Sequence, residues 1–212
     1  MNRTRPAETS KPDWTCASGS RAPFEILCES GDRVGIRFIP TIERLTEPFE
    51  IREGAVLPVG SYHFERFVAL LEFSNKRPIS GRIRFEGGSY YDGNRTSVQV
   101  RASWRPRPGL TFALNFERNV VHLDEDNFKT NLARLRVQVD FTADLSWSTF
   151  VQWDDVSDEV GINSRLRWII EPGNDLFLVF NYEVSTGAPG GETRFRSLDS
   201  EVTFKVAWTF RF

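Results

Sequence analysis

The feature that most constrains this chain is a two-residue rhythm in its final stretch. From Val202 the even positions read Val202, Phe204, Val206, Trp208, Phe210 and Phe212, and the intervening ones Thr203, Lys205, Ala207, Thr209 and Arg211. Side chains alternate across a strand, so this segment carries one apolar and one mostly polar face. A soluble sheet would bury the apolar face, whereas a transmembrane β-barrel turns it to lipid and its polar face to the lumen.

The same alternation recurs upstream. Phe67, Ala69, Leu71 and Phe73 stand against Arg66 and Glu72, and Ile83 and Phe85 against Arg82, Arg84 and Glu86. Val98, Val100, Ala102 and Trp104 face away from Gln99 and Arg101, as do Leu135, Val137 and Val139 from Arg134, Arg136 and Asp140. Leu166 and Trp168 alternate with Arg165 and Arg167. About ten strands of roughly 8–13 residues are expected, long enough to cross a bilayer at a tilt. Asp92-Gly93 is the expected two-residue hairpin, while Arg105–Gly109, 142–144 and 171–175 are expected short turns. Longer connections are expected at 122–130, 154–159 and 184–200. Three prolines and two glycines mark 40–60 as an ordered loop.

Composition narrows the classes. The 212 residues have a formal net charge of -2, which gives no basis for nucleic-acid binding. Mean hydropathy is -0.38 with no apolar run of helix-spanning length, excluding a helical membrane protein but not a barrel. The expected architecture is all-β, an antiparallel transmembrane β-barrel over residues 33–212 preceded by an irregular polar lead-in over 1–32. Residues 1–21 lack the apolar stretch of a secretory signal, so the chain is expected to be the C-terminal part of a longer protein. Cys16 and Cys28 read as incidental thiols more readily than as a disulfide.

Two resemblances add to this reading. The ending, with Phe204, Val206, Trp208, Phe210 and Phe212 on one face, resembles the C-terminal strand of bacterial outer-membrane proteins. That likeness implies an assembly signal read by the barrel-assembly machinery. The segments Gly87-Gly-Ser-Tyr-Tyr-Asp-Gly-Asn-Arg95 through Trp104-Arg-Pro-Arg-Pro-Gly109, then Phe150-Val-Gln-Trp153, Asn163-Ser-Arg-Leu-Arg-Trp168 and Pro172-Gly-Asn-Asp-Leu-Phe-Leu-Val-Phe-Asn181, resemble the barrel region of the DUF5916 proteins, also labelled carbohydrate-binding family 9 domain-containing proteins. The likeness implies a barrel in the outer membrane of a Gram-negative bacterium. It implies no catalysis and no cofactor.

Candidate lumen residues are Arg82, Arg84, Arg101, Arg134, Arg136, Asp140, Arg165, Arg167 and Lys205. They read either as a cationic lumen selecting anionic solutes or as a salt-bridge network with Glu72, Glu86 and Glu117 that fixes register. Asp124, Glu125, Asp126, Asp154, Asp155, Asp158 and Glu159 read as a solvated acidic rim rather than a calcium site. His122 lacks a nucleophile or second histidine for hydrolysis. Expected partners are outer-membrane lipid, the assembly machinery, and a carbohydrate or anionic solute. A soluble β-sandwich or closed barrel binding carbohydrate or lipid is the rival, distinguished by which face points inward.

Overall fold

The computed structural model describes residues 15–18, 21–52, 54–124, 126–187 and 195–209, and among these there is no helix. The chain forms β1 (Thr15–Ser18), β2 (Arg21–Leu27), β3 (Arg33–Leu45), β4 (Phe49–Arg52), β5 (Ala55–Leu57), β6 (Gly60–Phe73) and β7 (Ile79–Tyr90). It continues through β8 (Gly93–Arg107), β9 (Leu110–His122), β10 (Asn127–Asp140), β11 (Leu145–Asp154), β12 (Glu159–Glu171), β13 (Asn174–Ser185) and β14 (Arg196–Ala207).

Twelve of these strands make one antiparallel sheet, with β6 to β14 paired in sequence order, β3 beside β6, and both β1 and β2 along the far edge of β3. No pairing joins β14 back to β1, β2 or β3 among the described residues, so the sheet is open there. The small hairpin β4–β5 stands apart from it.

Several expected boundaries move. The stretch before residue 33, expected to be irregular, carries β1 and β2, which find their partner in β3 rather than locally. Pro40 sits inside β3 instead of opening a loop. It falls between the part of β3 paired to β2, ending at Phe38, and the part paired to β1, beginning at Thr41, where a missing N–H interrupts no ladder. The two-residue hairpin turn joining β7 and β8 is Tyr91-Asp92, one residue earlier than expected, with Tyr91 at φ 51°. Gly93 belongs to β8 instead, where a Cβ would meet the His122 carbonyl oxygen at 1.8 Å. Likewise β8 runs through Pro106 by a ladder irregularity between Trp104 and Arg107, leaving Pro108-Gly109 as the turn, with Gly109 at φ 76°. The connections expected at 122–130 and 154–159 shrink to 123–126 and 155–158.

Because the ladders keep register, alternation in each strand becomes two continuous faces. On one lie Phe67, Phe85, Val98, Phe116, Ala133, Val151, Ile162 and Phe180; on the other lie Glu72, Arg82, Arg101, Asn115, Arg134 and Gln152. The large apolar side chains are the exposed ones: Phe67 is 58 % exposed and Trp168 51 %. Buried apolar side chains gather toward the end where β3 connects to β6: Leu45, Phe64, Val68 and Val121 in the sheet, Ala55 and Leu57 in the β4–β5 hairpin, and Leu123 after β9. Phe64 stacks against Tyr90 at 6.0 Å and meets Tyr91 edge-on at 5.1 Å.

Candidate functional site

Among the described residues the polar face is where the sequence gathers its charged side chains, and they come from strands across the sheet, β6 to β14, placed by register. Along β6 and β7 it is an ion-pair network. Glu86, whose side chain is 13 % exposed, accepts from Arg66 at 3.0 Å and from Arg84 at 2.6 Å. Arg82 donates to Glu72 at 2.8 Å, and Arg66 also donates to the Thr41 hydroxyl at 3.0 Å. Glu72 stands directly opposite Arg82 and Glu86 diagonally across from Arg66, cross-strand pairs that favour this register, while Arg84 meets Glu86 along its own strand.

From β8 onward the arrangement changes. Arg101 stands directly opposite Arg82 in the β7–β8 ladder and has no carboxylate within ion-pair distance among the described residues. Arg134 donates through Nε to Gln152 at 3.0 Å, and Arg136 donates to Gln138 at 3.0 Å, both neutral acceptors. Arg165 lies over the Phe177 ring, 4.4 Å from its centroid, a cation–π geometry. Arg167 pairs with Asp175 at 3.1 Å. Asp140 accepts from the Gln138 side chain at 3.1 Å, so it serves a glutamine rather than an arginine. Lys205 is opposite Phe177 on the exposed edge strand β14.

The expected lumen set therefore shares one face; Arg82, Arg84 and Arg167 are ion-paired on it, and Arg101, Arg134, Arg136 and Arg165 have no carboxylate at ion-pair distance among the described residues. Between β6 and β11 this face holds a depression of about 390 Å³ lined by Glu72, Ser80, Arg82, Arg101, Arg134 and Arg136, with Phe150 among its further walls. Ser80 is absent from the candidate set because Asn75–Ser80 reads as a turn. It shares the even phase of Arg82 and Arg84, and that phase is the signal that places it on the polar face. Arg66 and Arg95 are further cations on this face, Arg95 donating to Asn119 at 3.0 Å.

Of the expected assembly residues, Phe204 and Val206 lie on β14 and are exposed, Trp208 follows the strand and is exposed, and Phe210 and Phe212 lie outside the described residues. The acidic rim is held by local bonds: the Asp154 carboxylate accepts from the Val156 N–H at 2.9 Å, and that of Asp155 accepts from the Asn131 N–H at 2.5 Å. Among the described residues no group of three His, Cys, Asp or Glu side chains is placed to hold a metal. His122 Nδ1 lies 2.8 Å from the Asn127 side-chain oxygen. Cys28 is a free, exposed thiol.

Beyond the strands, Asp32 ties two turns together. Its carboxylate accepts from the Ser74 N–H at 2.8 Å, from the Arg77 guanidinium, and from the Ser30 hydroxyl at 2.8 Å. The Ser74 bond, then the Arg77 and Ser30 bonds, hold the carboxyl at about 2, below the ordinary 3.8. No protein-family model, curated protein or solved structure matches the chain.

Proposed function

We propose that this chain is an outer-membrane β-barrel protein, or the C-terminal part of a larger one, with a pore, transport or surface-anchoring role and no chemistry of its own. The observation that carries the reading is that large apolar side chains stand exposed on one face of the sheet while the ion-paired side chains share the other. A soluble sandwich or closed barrel would bury Phe67, Trp168 and Phe204, which here are exposed.

Four further features support it. The apolar run Ala133–Val139 of β10 spans about 20 Å, close to a membrane band. Arg118 and Asn131, cross-strand partners, end the runs of β9 and β10 on the side of the longer connections. One polar cluster on the apolar face is bonded within itself, as lipid requires: the Trp147 indole N–H donates to the Ser164 hydroxyl at 2.8 Å and the Thr149 hydroxyl to the same oxygen at 3.0 Å. Trp104, Trp147 and Trp168 lie toward the short-turn end, and Trp153 toward the other, as an aromatic girdle would have them. The likeness to DUF5916 barrels belongs to this proposal, as do outer-membrane lipid and the assembly machinery as partners.

The test is expression behind a signal peptide, followed by gels of detergent-extracted outer membranes with and without boiling. A protease-resistant band that shifts on boiling is expected. Leu135→Arg should cost about 2–4 kcal/mol in unfolding from lipid, and Arg136→Leu clearly less. Equal costs, or a soluble periplasmic band, would sink the reading.

A further inference from the structure

The depression between β6 and β11 carries more positive charge than the fold uses. Four guanidiniums line it with one carboxylate, Glu72, and that carboxylate is already taken by Arg82. Arg101 is set opposite Arg82 with no acid to separate them, although like charges directly across a ladder repel. Arg101, Asn115 and Arg134 follow one another in register across β8, β9 and β10, which puts the two arginines about 10 Å apart with a small amide between them. Arg136 is opposite Ala113 in the same region, leaving its guanidinium uncrowded from that side.

A second observation is independent of charge. Ser80 lines the depression, is 3 % exposed, and its hydroxyl oxygen is buried without a hydrogen-bond partner. Buried hydroxyls are ordinarily satisfied, and one left open beside guanidiniums is a donor awaiting an acceptor. Phe150 supplies an apolar wall. We infer that this depression binds a small organic oxyanion, a carboxylate, sulfonate or phosphate ester, with its charged oxygens between Arg101 and the Arg134/Arg136 pair and its organic part against Phe150. Arginine forks match such oxygens in a way that lysine does not, and a volume of about 390 Å³ lies in the range of small-molecule sites. The site deepens the proposed function by naming the class of solute, and it rests on that reading only for its lumenal setting.

The experiment is calorimetric titration of the full chain in detergent with benzenesulfonate, inorganic sulfate and, as a cation of like size, benzyltrimethylammonium. Saturable binding of benzenesulfonate, weaker binding of sulfate and none of the cation are expected. Arg101→Gln and Arg136→Gln should each weaken benzenesulfonate at least tenfold, Arg101→Lys should recover only part of that loss, and Ser80→Ala should weaken it severalfold. Arg167→Gln, whose ion pair lies outside the depression, should leave affinity unchanged. Equal affinity in wild type and the Arg101 and Arg136 variants, or equal binding of the cation, would overturn the inference. A boiling shift without oxyanion binding would remove the site and keep the barrel, and binding without a boiling shift would do the reverse.

Discussion

On β6 and β7 every arginine of the polar face has a carboxylate within 3.0 Å, while on β8 to β10 no arginine has one among the described residues. The two halves use the same residue type, at the same two-residue spacing, on the same face. In the first half Glu72 pairs with Arg82 and Glu86 with Arg66 across the β6–β7 ladder, tying those strands in register, while Arg84 reaches Glu86 along β7 itself. In the second half the near neighbours are Asn115, Gln138 and Gln152, and the two glutamines accept arginine N–H groups without cancelling charge. Glu117 is close by, yet it accepts from Asn119 at 3.1 Å. An arginine on the polar face is thus ion-paired or available according to which carboxylates stand beside it, across the ladder for Arg66 and Arg82 and two residues along the strand for Arg84.

That contrast can be broken at either side. The largest effect belongs to Glu86→Gln, which strands two guanidiniums around a mostly buried amide and should cost about 1.5–3 kcal/mol, read from denaturant unfolding in detergent. A loss below about 0.5 kcal/mol would mean the first half is no more locked than the second. Arg101→Gln sharpens the comparison from the other direction. Relieving the Arg82–Arg101 opposition should leave stability unchanged or raise it by about 0.2–1 kcal/mol. A loss comparable to that of Glu86→Gln would place a hidden acidic partner beside Arg101 and erase the distinction.

The smallest effect lies outside both halves, at the turn carboxylate of Asp32. Its folded value is depressed, so its contribution is fully present above the ordinary 3.8 and disappears as pH falls through about 2. Unfolding midpoints followed from pH 5 to pH 2 should therefore drop more steeply for the wild type than for Asp32→Asn. Parallel curves would show that the link between the 28–32 and 74–78 turns contributes nothing to stability.

The strands and their two faces were legible in the sequence because alternation is a local signal that every strand from β6 to β14 carries. Which residue faces which was not legible, because register depends on turn geometry and on irregularities inside strands. Asp92-Gly93 read as a turn, but Gly93 is needed one step later, where the chain passes within touching distance of the His122 carbonyl. That one-residue difference decides that Arg82 meets Arg101. Pro40 disguised the middle of β3, since its tolerance depends on two other strands meeting opposite it. At the candidate site the arginines were visible and their division was not, because for Arg82 and Arg101 pairing depends on which residue the register sets across the ladder. Ser80 was hidden by a stretch rich in turn residues.

The Arg82–Arg101 opposition has a consequence for how the molecule answers to ionic strength. Raising salt from about 0.01 M to 1 M shortens the reach of exposed charges from roughly 30 Å to roughly 3 Å. Across β6 and β7 that screening weakens attraction and loosens the sheet. Across β8 to β10 it weakens repulsion and tightens it. A single electrolyte therefore acts with opposite sign on adjoining parts of one continuous surface. Such a protein has no uniform salt response, and a measured stability that barely moves with salt would be the cancellation of two local changes rather than their absence.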